Sequence, residues 1–309
     1  IRRPPRSTRK ESSAESDVYK RQALTTGTDN TFIGHQAGDS YTTGIDAVII
    51  GNKAGQATNG AQNVFIGNQA GENSSGSMHI AIGHRASSSG GSLGVVIGRE
   101  AGLSNTGDSG VIIGAAAGRN NSAHSHFSIG YQAGYSQTSG VNNTNIGYQA
   151  GYSITTNTST TNVGYQAGYH NTNAGTTNVG TEAGKGLTGG YNTTLGYRAG
   201  YKGGSSQSGQ YSVYIGALAA YDVAGQAENN TAVGGRAMEK VSTGSNNTCI
   251  GRSSGGSVTT GGNNTLMGYQ AGTSLATGEG NTFVGYQAGL SANPSGGSSG
   301  QNTCIGNTS

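Results

Sequence analysis

The chain has 309 residues, of which 32% are hydrophobic, 10% are charged and 58 are glycine. That is too little apolar material for two packed globular domains. It is also too little charge for ordinary disorder, which pairs low hydrophobicity with high charge. The formal net charge is +3, but residues 1–22 carry seven of the seventeen Lys and Arg and only three acids. From Ala23 on there are ten basic and eleven acidic side chains, so the basic stripe of a nucleic-acid binder is missing.

The first 22 residues, IRRPPRSTRKESSAESDVYKRQ, share no pattern with the rest of the chain. They lack the apolar core of about 7–15 residues that a signal peptide needs. The string resembles translated adapter sequence, and 1–22 is read as a non-native or disordered leader. Residues 23–309 are expected to form one repeat domain, truncated at both ends. No apolar run approaches the roughly 20 residues of a membrane helix.

From Gly34 onward one pattern recurs. Its glycine anchors are residues 34, 51, 67, 83, 98, 114, 130, 147, 164, 180, 196, 216, 234, 251, 268, 285 and 306. Most gaps are 15 to 18 residues, with two of 20 and 21. A short fixed period means stacked units that cannot fold singly, so about seventeen coils of 16–17 residues should form a rod.

With the anchor as position zero, position −1 is always a large apolar residue. In chain order these are Ile33, Ile50, Ile66, Ile82, Ile97, Ile113, Ile129, Ile146, Val163, Val179, Leu195, Ile215, Val233, Ile250, Met267, Val284 and Ile305. Position −3 is Thr ten times and Val five times, whereas −2 varies freely. Alternation with β-branched residues predicts a strand ending at the anchor. The regular −3 and −1 side chains are expected inside as the structural core, with −2 outside. A charge placed at −1, as in Ile146→Asp, should then unfold the stack. Asn is frequent at −4, as at Asn30, Asn143, Asn192, Asn247 and Asn281, and should ladder from rung to rung.

After the anchor, +3 is Ala in fifteen of sixteen complete repeats and +4 is Gly in thirteen. These small residues predict tight bends. The remaining Ser, Thr, Asn and Gly read as a turn, with room for a short second strand. Sixteen residues fit one coil of a small parallel β-roll and leave no room for a helix. One Ile, one Thr or Val and one Ala per coil scarcely balance the ordering of sixteen residues. Packing against other chains should supply the difference, which predicts an oligomer.

The strings Asn30-Thr31-Phe32-Ile33-Gly34-His35-Gln36-Ala37-Gly38, Asn143–Gly151 and Asn281–Gly289 resemble the head repeats of trimeric autotransporter adhesins, the YadA-like head. Related repeats occur in tail-fibre-like proteins. The resemblance covers about residues 28–309. It implies an all-β, left-handed parallel β-roll, three chains side by side with their Ile-bearing strands toward the trimer centre, and an exposed adhesive role. The repeats here are slightly longer than the usual head repeat and richer in Asn, Thr and Tyr.

Candidate binding residues are tyrosines in two columns. Position +1 carries Tyr131, Tyr148, Tyr165, Tyr197, Tyr269 and Tyr286, and +5 carries Tyr135, Tyr152, Tyr169, Tyr201 and Tyr221. Ladders of this kind can bind glycan or protein surfaces through an apolar body and a polar tip, or simply stiffen the rod. Position +2, rich in Gln and charged residues, reads as a solvated edge. His124 and His126 form one pair and His79 and His84 flank another anchor, and two ligands at a place are too few for a settled metal geometry. Asn-x-Ser/Thr triplets at Asn142, Asn192, Asn229, Asn246 and Asn263 are acceptors only in a glycosylating secretory context. Cys249 and Cys304 stand three coils apart, about 14 Å at 4.8 Å per rung, too far for a disulfide.

Serines sit in Gly-rich turns, not in a nucleophile elbow between strand and helix, and no Gly-rich segment ends in Gly-Lys-Ser/Thr. The expectation is a non-enzymatic, cofactor-free extracellular fibre or adhesin segment. It would be a homotrimer binding surface glycan or protein multivalently, with no nucleic-acid partner and no membrane span. The competing expectation is a monomeric β-solenoid that binds ice or polysaccharide through Thr, Asn or Tyr ladders. An inward-pointing Thr at −3 would count against it.

Overall fold

The computed structural model describes residues 26–108, 110–122, 126–201, 208–292 and 300–308. The leader 1–22 lies outside them. The fold is a β-solenoid of seventeen three-residue strands, from β1 (Thr31–Ile33) to β17 (Thr303–Ile305). Each strand occupies positions −3 to −1, so every coil contributes one strand. All of them join one parallel sheet in which each strand pairs with the next in sequence. The register is uniform: −3 faces −3, −2 faces −2 and −1 faces −1, as in Thr144↔Thr161, Asn145↔Asn162 and Ile146↔Val163. Among the described residues no helix is long and apolar enough to cross a membrane.

Hydrogen bonding between coils continues through the turns. Gly147 N donates to Ile129 O at 2.7 Å, Gln149 N to Tyr131 O at 2.9 Å, and Gly151 N to Ala167 O at 2.9 Å. The turn therefore stacks as strictly as the strand, and its backbone polar groups are satisfied by the coils above and below.

This stacking explains the glycines. Gly67 has φ +134, and a Cβ there would lie 2.6 Å from the carbonyl oxygen of Gly83 on the next coil. Only glycine combines that backbone angle with that approach. At Gly71, four residues on, φ is +60 and a Cβ would lie 2.7 Å from the Phe65 ring. The +4 glycine thus makes room for the −2 side chain of its own coil. Two coils carry a residue larger than Ala at +4, Ser87 and Met238, and both have Ala at −2, Ala81 and Ala232. The two positions share one volume.

That packing reverses the expected inside and outside of the strand. The −2 residues are buried: Ile49, Phe65, Ala81, Val96, Ile112, Tyr214, Cys249, Leu266 and Phe283 among them. The −1 residues expected in the core, from Ile33 through Ile146 to Ile305, are half-buried or exposed on the outer face of the sheet. Ile33 is 51% exposed and Leu195 45%. The −3 residues accompany them. The reason lies in the turn, which folds Ala at +3 and Gly at +4 back under −2. A further buried column comes from +7, with Tyr41, Ile154, Leu187, Val223, Val241, Val258 and Leu275.

The Asn positions at −4 behave as expected. Asn247 Nδ2 donates to Asn230 Oδ1 at 3.2 Å, Asn264 to Asn247 at 2.9 Å, Asn281 to Asn264 at 2.9 Å and Asn302 to Asn281 at 3.0 Å. Elsewhere the same residue type ties backbone to backbone. Asn143 Nδ2 donates to Asn157 O at 2.7 Å, while its Oδ1 accepts from Thr160 N at 2.9 Å.

Candidate functional site: the outer sheet face and the tyrosine ledge

Two surfaces arise from this geometry. The first is the outer face of the sheet, made of the −3 and −1 columns. From Val48 to Val111 its −3 column is aliphatic, and from Thr144 onward it is Thr at every coil except Val213. Sixteen steps of about 4.8 Å give it a length of about 77 Å. A three-residue strand gives it a width of about 10 Å.

The second surface is a ledge formed by +1, +2 and +5. The +1 tyrosines predicted as a ladder stack where they are consecutive. Tyr131 and Tyr148 have ring centroids 5.2 Å apart at 19°, Tyr148 and Tyr165 5.3 Å at 12°, and Tyr269 and Tyr286 5.3 Å at 10°. Tyr197 has no tyrosine at +1 on either neighbouring coil, and the Arg198 guanidinium sits over its ring at 5.1 Å. All six are exposed, between 37% and 52%. The +5 tyrosines form parallel stacks: Tyr135 to Tyr152 at 5.1 Å, Tyr152 to Tyr169 at 4.9 Å and Tyr201 to Tyr221 at 5.2 Å. Burial against its neighbours, and then their own ionisation, pushes the Tyr152 hydroxyl pKa up.

Between the two tyrosine columns, +2 adopts a left-handed backbone in every coil, for example Gln132 and Gln149 at φ 52. A non-glycine residue is strained there. Amide ladders offset the strain. Gln149 Nε2 donates to Gln132 Oε1 and Gln166 Nε2 to Gln149 Oε1, both at 2.8 Å. At Glu182 ion pairs form within the coil, to Lys185, and across to the next coil, to Arg198. Glu182 accepts from Lys185 Nζ and from Arg198 Nε, each at 2.6 Å. Burial opposes ionisation of Glu182, but the two hydrogen bonds outweigh it and hold the carboxyl below its ordinary range.

A third tyrosine stack, Tyr191 on Tyr211 at 5.3 Å and 2°, occupies position −5, which the sequence reading does not single out. Aligning the coils on their anchors reveals it. The same alignment exposes the aliphatic +7 column of the later coils.

Among the described residues no three His, Cys, Asp or Glu side chains gather as metal ligands. His124 lies outside those residues. His79 is buried against Phe65, with ring centroids 5.9 Å apart, and its Nδ1 bonds Gly91 O at 2.8 Å. Cys249 and Cys304 are not joined by a disulfide, and burial pushes the Cys249 thiol up to about 12. Asn142, Asn229, Asn246 and Asn263 are exposed, but Asn192 is buried. Comparison with protein-family models and with curated proteins returned no match.

Proposed function

We propose that this chain is an extracellular, non-enzymatic fibre or adhesin segment. It associates through its outer sheet face, as a homotrimer, and presents the tyrosine ledge to surface glycans or proteins. The observation that carries this reading is the continuous row of half-exposed aliphatic residues at −1, flanked by −3. The face that carries this row has an area on the order of 750 Å², from a length of about 77 Å and a width of about 10 Å. Apolar patches beyond a few hundred Å² mark association surfaces. The thin core argues the same way, and repeated equal sites along a rod favour multivalent contact over one tight site.

Ile146→Asp is the direct test. Ile146 is half-buried on that face, so the variant keeps its fold but loses association. Light scattering after size exclusion on residues 23–309 should give a trimer mass for the parent and a monomer mass for the variant. A monomeric parent removes the reading.

A second reading has its own observation. Thr144, Thr161, Thr177 and Thr193, then Thr231, Thr248, Thr265, Thr282 and Thr303, lie on the outer face in register. The expected inward direction of these threonines, which weighed against a monomeric ice- or polysaccharide-binding solenoid, is reversed. Thermal hysteresis by a monomeric protein, lost on Thr248→Tyr, would put that reading first.

A further inference from the structure

The +1 and +2 columns contain one interruption of a particular kind. Ala115 and Ala116, in the coil of β6 (Val111–Ile113), are alanine at both positions, which happens in no other coil. The missing side chains leave a slot of about 240 Å³, walled by Arg99, Glu100, Arg119, Tyr131 and Gln132. One wall is the ring of Tyr131, the first rung of the Tyr131–Tyr148–Tyr165 stack. The spacing within that stack is 5.2–5.3 Å, so the slot is one ring thick.

The other tyrosines that begin a stack on the ledge are covered by cations. Arg252 lies over Tyr269 at 5.7 Å, Arg119 over Tyr135 at 5.8 Å and Lys185 over Tyr201 at 5.8 Å. Tyr131 instead looks across Ala115, whose carbonyl accepts from Gln132 N at 3.0 Å. The opposite rim is charged. Glu100 is shared between Arg99 Nη2 and Arg119 Nε, each at 3.3 Å, and Arg119 Nη1 donates to the Tyr135 hydroxyl at 2.9 Å. Two guanidiniums against one carboxylate leave one positive charge in excess, carried at the mouth by the Arg99 side chain, 73% exposed.

We infer that this slot binds one acidic pyranose unit of a polysaccharide. The apolar C–H face of the sugar stacks on Tyr131 in the place of the absent ring, as flat ligands stack on aromatic side chains. Its hydroxyls meet Glu100 and Gln132, and its carboxylate meets Arg99. An aromatic side chain from a protein partner fits the rim less well, because it would desolvate these charged groups without pairing them. This inference deepens the surface-binding half of the proposed function and is independent of the association half.

The test is saturation-transfer difference NMR and calorimetry on the intact chain, with methyl β-D-glucuronide and methyl β-D-glucoside as probes. The glucuronide should saturate the site and bind at least about tenfold tighter than the glucoside, a difference of about 1.4 kcal/mol. Ala115→Tyr should continue the stack, keep or raise the melting temperature, and abolish binding. Arg99→Ala should bring the two sugars to equal affinity. Absence of saturable binding, or Ala115→Tyr binding like the parent, overturns the slot. A trimer that ignores the glucuronide removes the slot alone, and a monomer that binds it removes the fibre reading alone.

Discussion

The coils from β1 to β6 and those from β7 (Phe127–Ile129) to β11 (Thr193–Leu195) share one backbone and one register but not one interior. In the first group the buried −2 column runs Ile49, Phe65, Ala81, Val96, Ile112, part of one apolar cluster that extends to Ala117. In the second it runs Ser128, Asn145, Asn162, Asn178, Thr194, all fully or almost fully buried. A second apolar cluster begins at Ala199 and continues to Ala288. The polar stretch is held by its own ladder. Asn162 Nδ2 donates to Asn145 Oδ1 at 2.9 Å, Asn178 Nδ2 to Asn162 Oδ1 at 2.8 Å, and Thr194 Oγ1 to Asn178 Oδ1 at 2.8 Å.

A column of amides can replace a column of Ile and Phe because each amide finds its partner one rung away, at the same spacing as the backbone. The arrangement depends on continuity. An apolar rung is stabilised by whatever packs on it, whereas an amide rung needs another amide or hydroxyl above or below. The amide column also fixes register, since a slipped coil would strand every group in it. The polar-cored coils also carry the longest tyrosine stacks on their outside, Tyr131 to Tyr165 and Tyr135 to Tyr169.

The largest effect should come from placing an amide in the apolar column. Leu266 is flanked in register by Cys249 and Phe283. Leu266→Asn should cost about 3–4 kcal/mol, from lost packing and an unpartnered amide, measured by chemical denaturation. Ile112→Asn should cost less. It adjoins Ser128 in register, and the Ser128 hydroxyl is buried without a hydrogen-bond partner among the described residues. Equal costs would show that ladder continuity does not matter.

The converse substitution is smaller. Asn162→Leu removes the donor to Asn145 and the acceptor of Asn178, and should cost about 1–3 kcal/mol. Replacing Asn145, Asn162 and Asn178 together by Leu should recover much of that loss, since no half-satisfied amide remains. A triple variant less stable than the single one would break the comparison. On the outside of the same coils, Tyr148→Ala removes two stacked contacts and should cost about 1 kcal/mol, read from the melting temperature.

The smallest effect is absent at neutral pH. His79 lies in the apolar-cored region, and burial, opposed by its bond to Gly91 and by the Asp108 charge, lowers its pKa from 6.5. Protons therefore bind the unfolded chain more readily. Stability should fall as pH drops through 6.5 and level off below the folded-state pKa. His79→Asn, which restores the residue usual at −4, should flatten this part of the melting profile between pH 5 and 8. An unchanged profile would show that His79 does not titrate with folding.

The period, the seventeen strands ending at each anchor glycine, the parallel stack, the Asn ladder at −4 and the tyrosine stacks at +1 and +5 are all legible in the amino-acid order. All of these are properties of one coil repeated in phase, and local chemistry suffices for them. Tertiary structure decided which face of the strand is inside. Alternation with period two makes two faces but does not say which one the chain wraps around, and the regular β-branched −1 column looks like a core. The fold wraps around −2 instead, because the bend from Gly67 to Gly71 brings Ala70 and the bare Gly71 backbone against Phe65. The slot at Ala115 was equally hidden. It exists only because Arg99, Arg119 and Tyr131, 32 residues apart from first to last, are brought to three adjacent rungs.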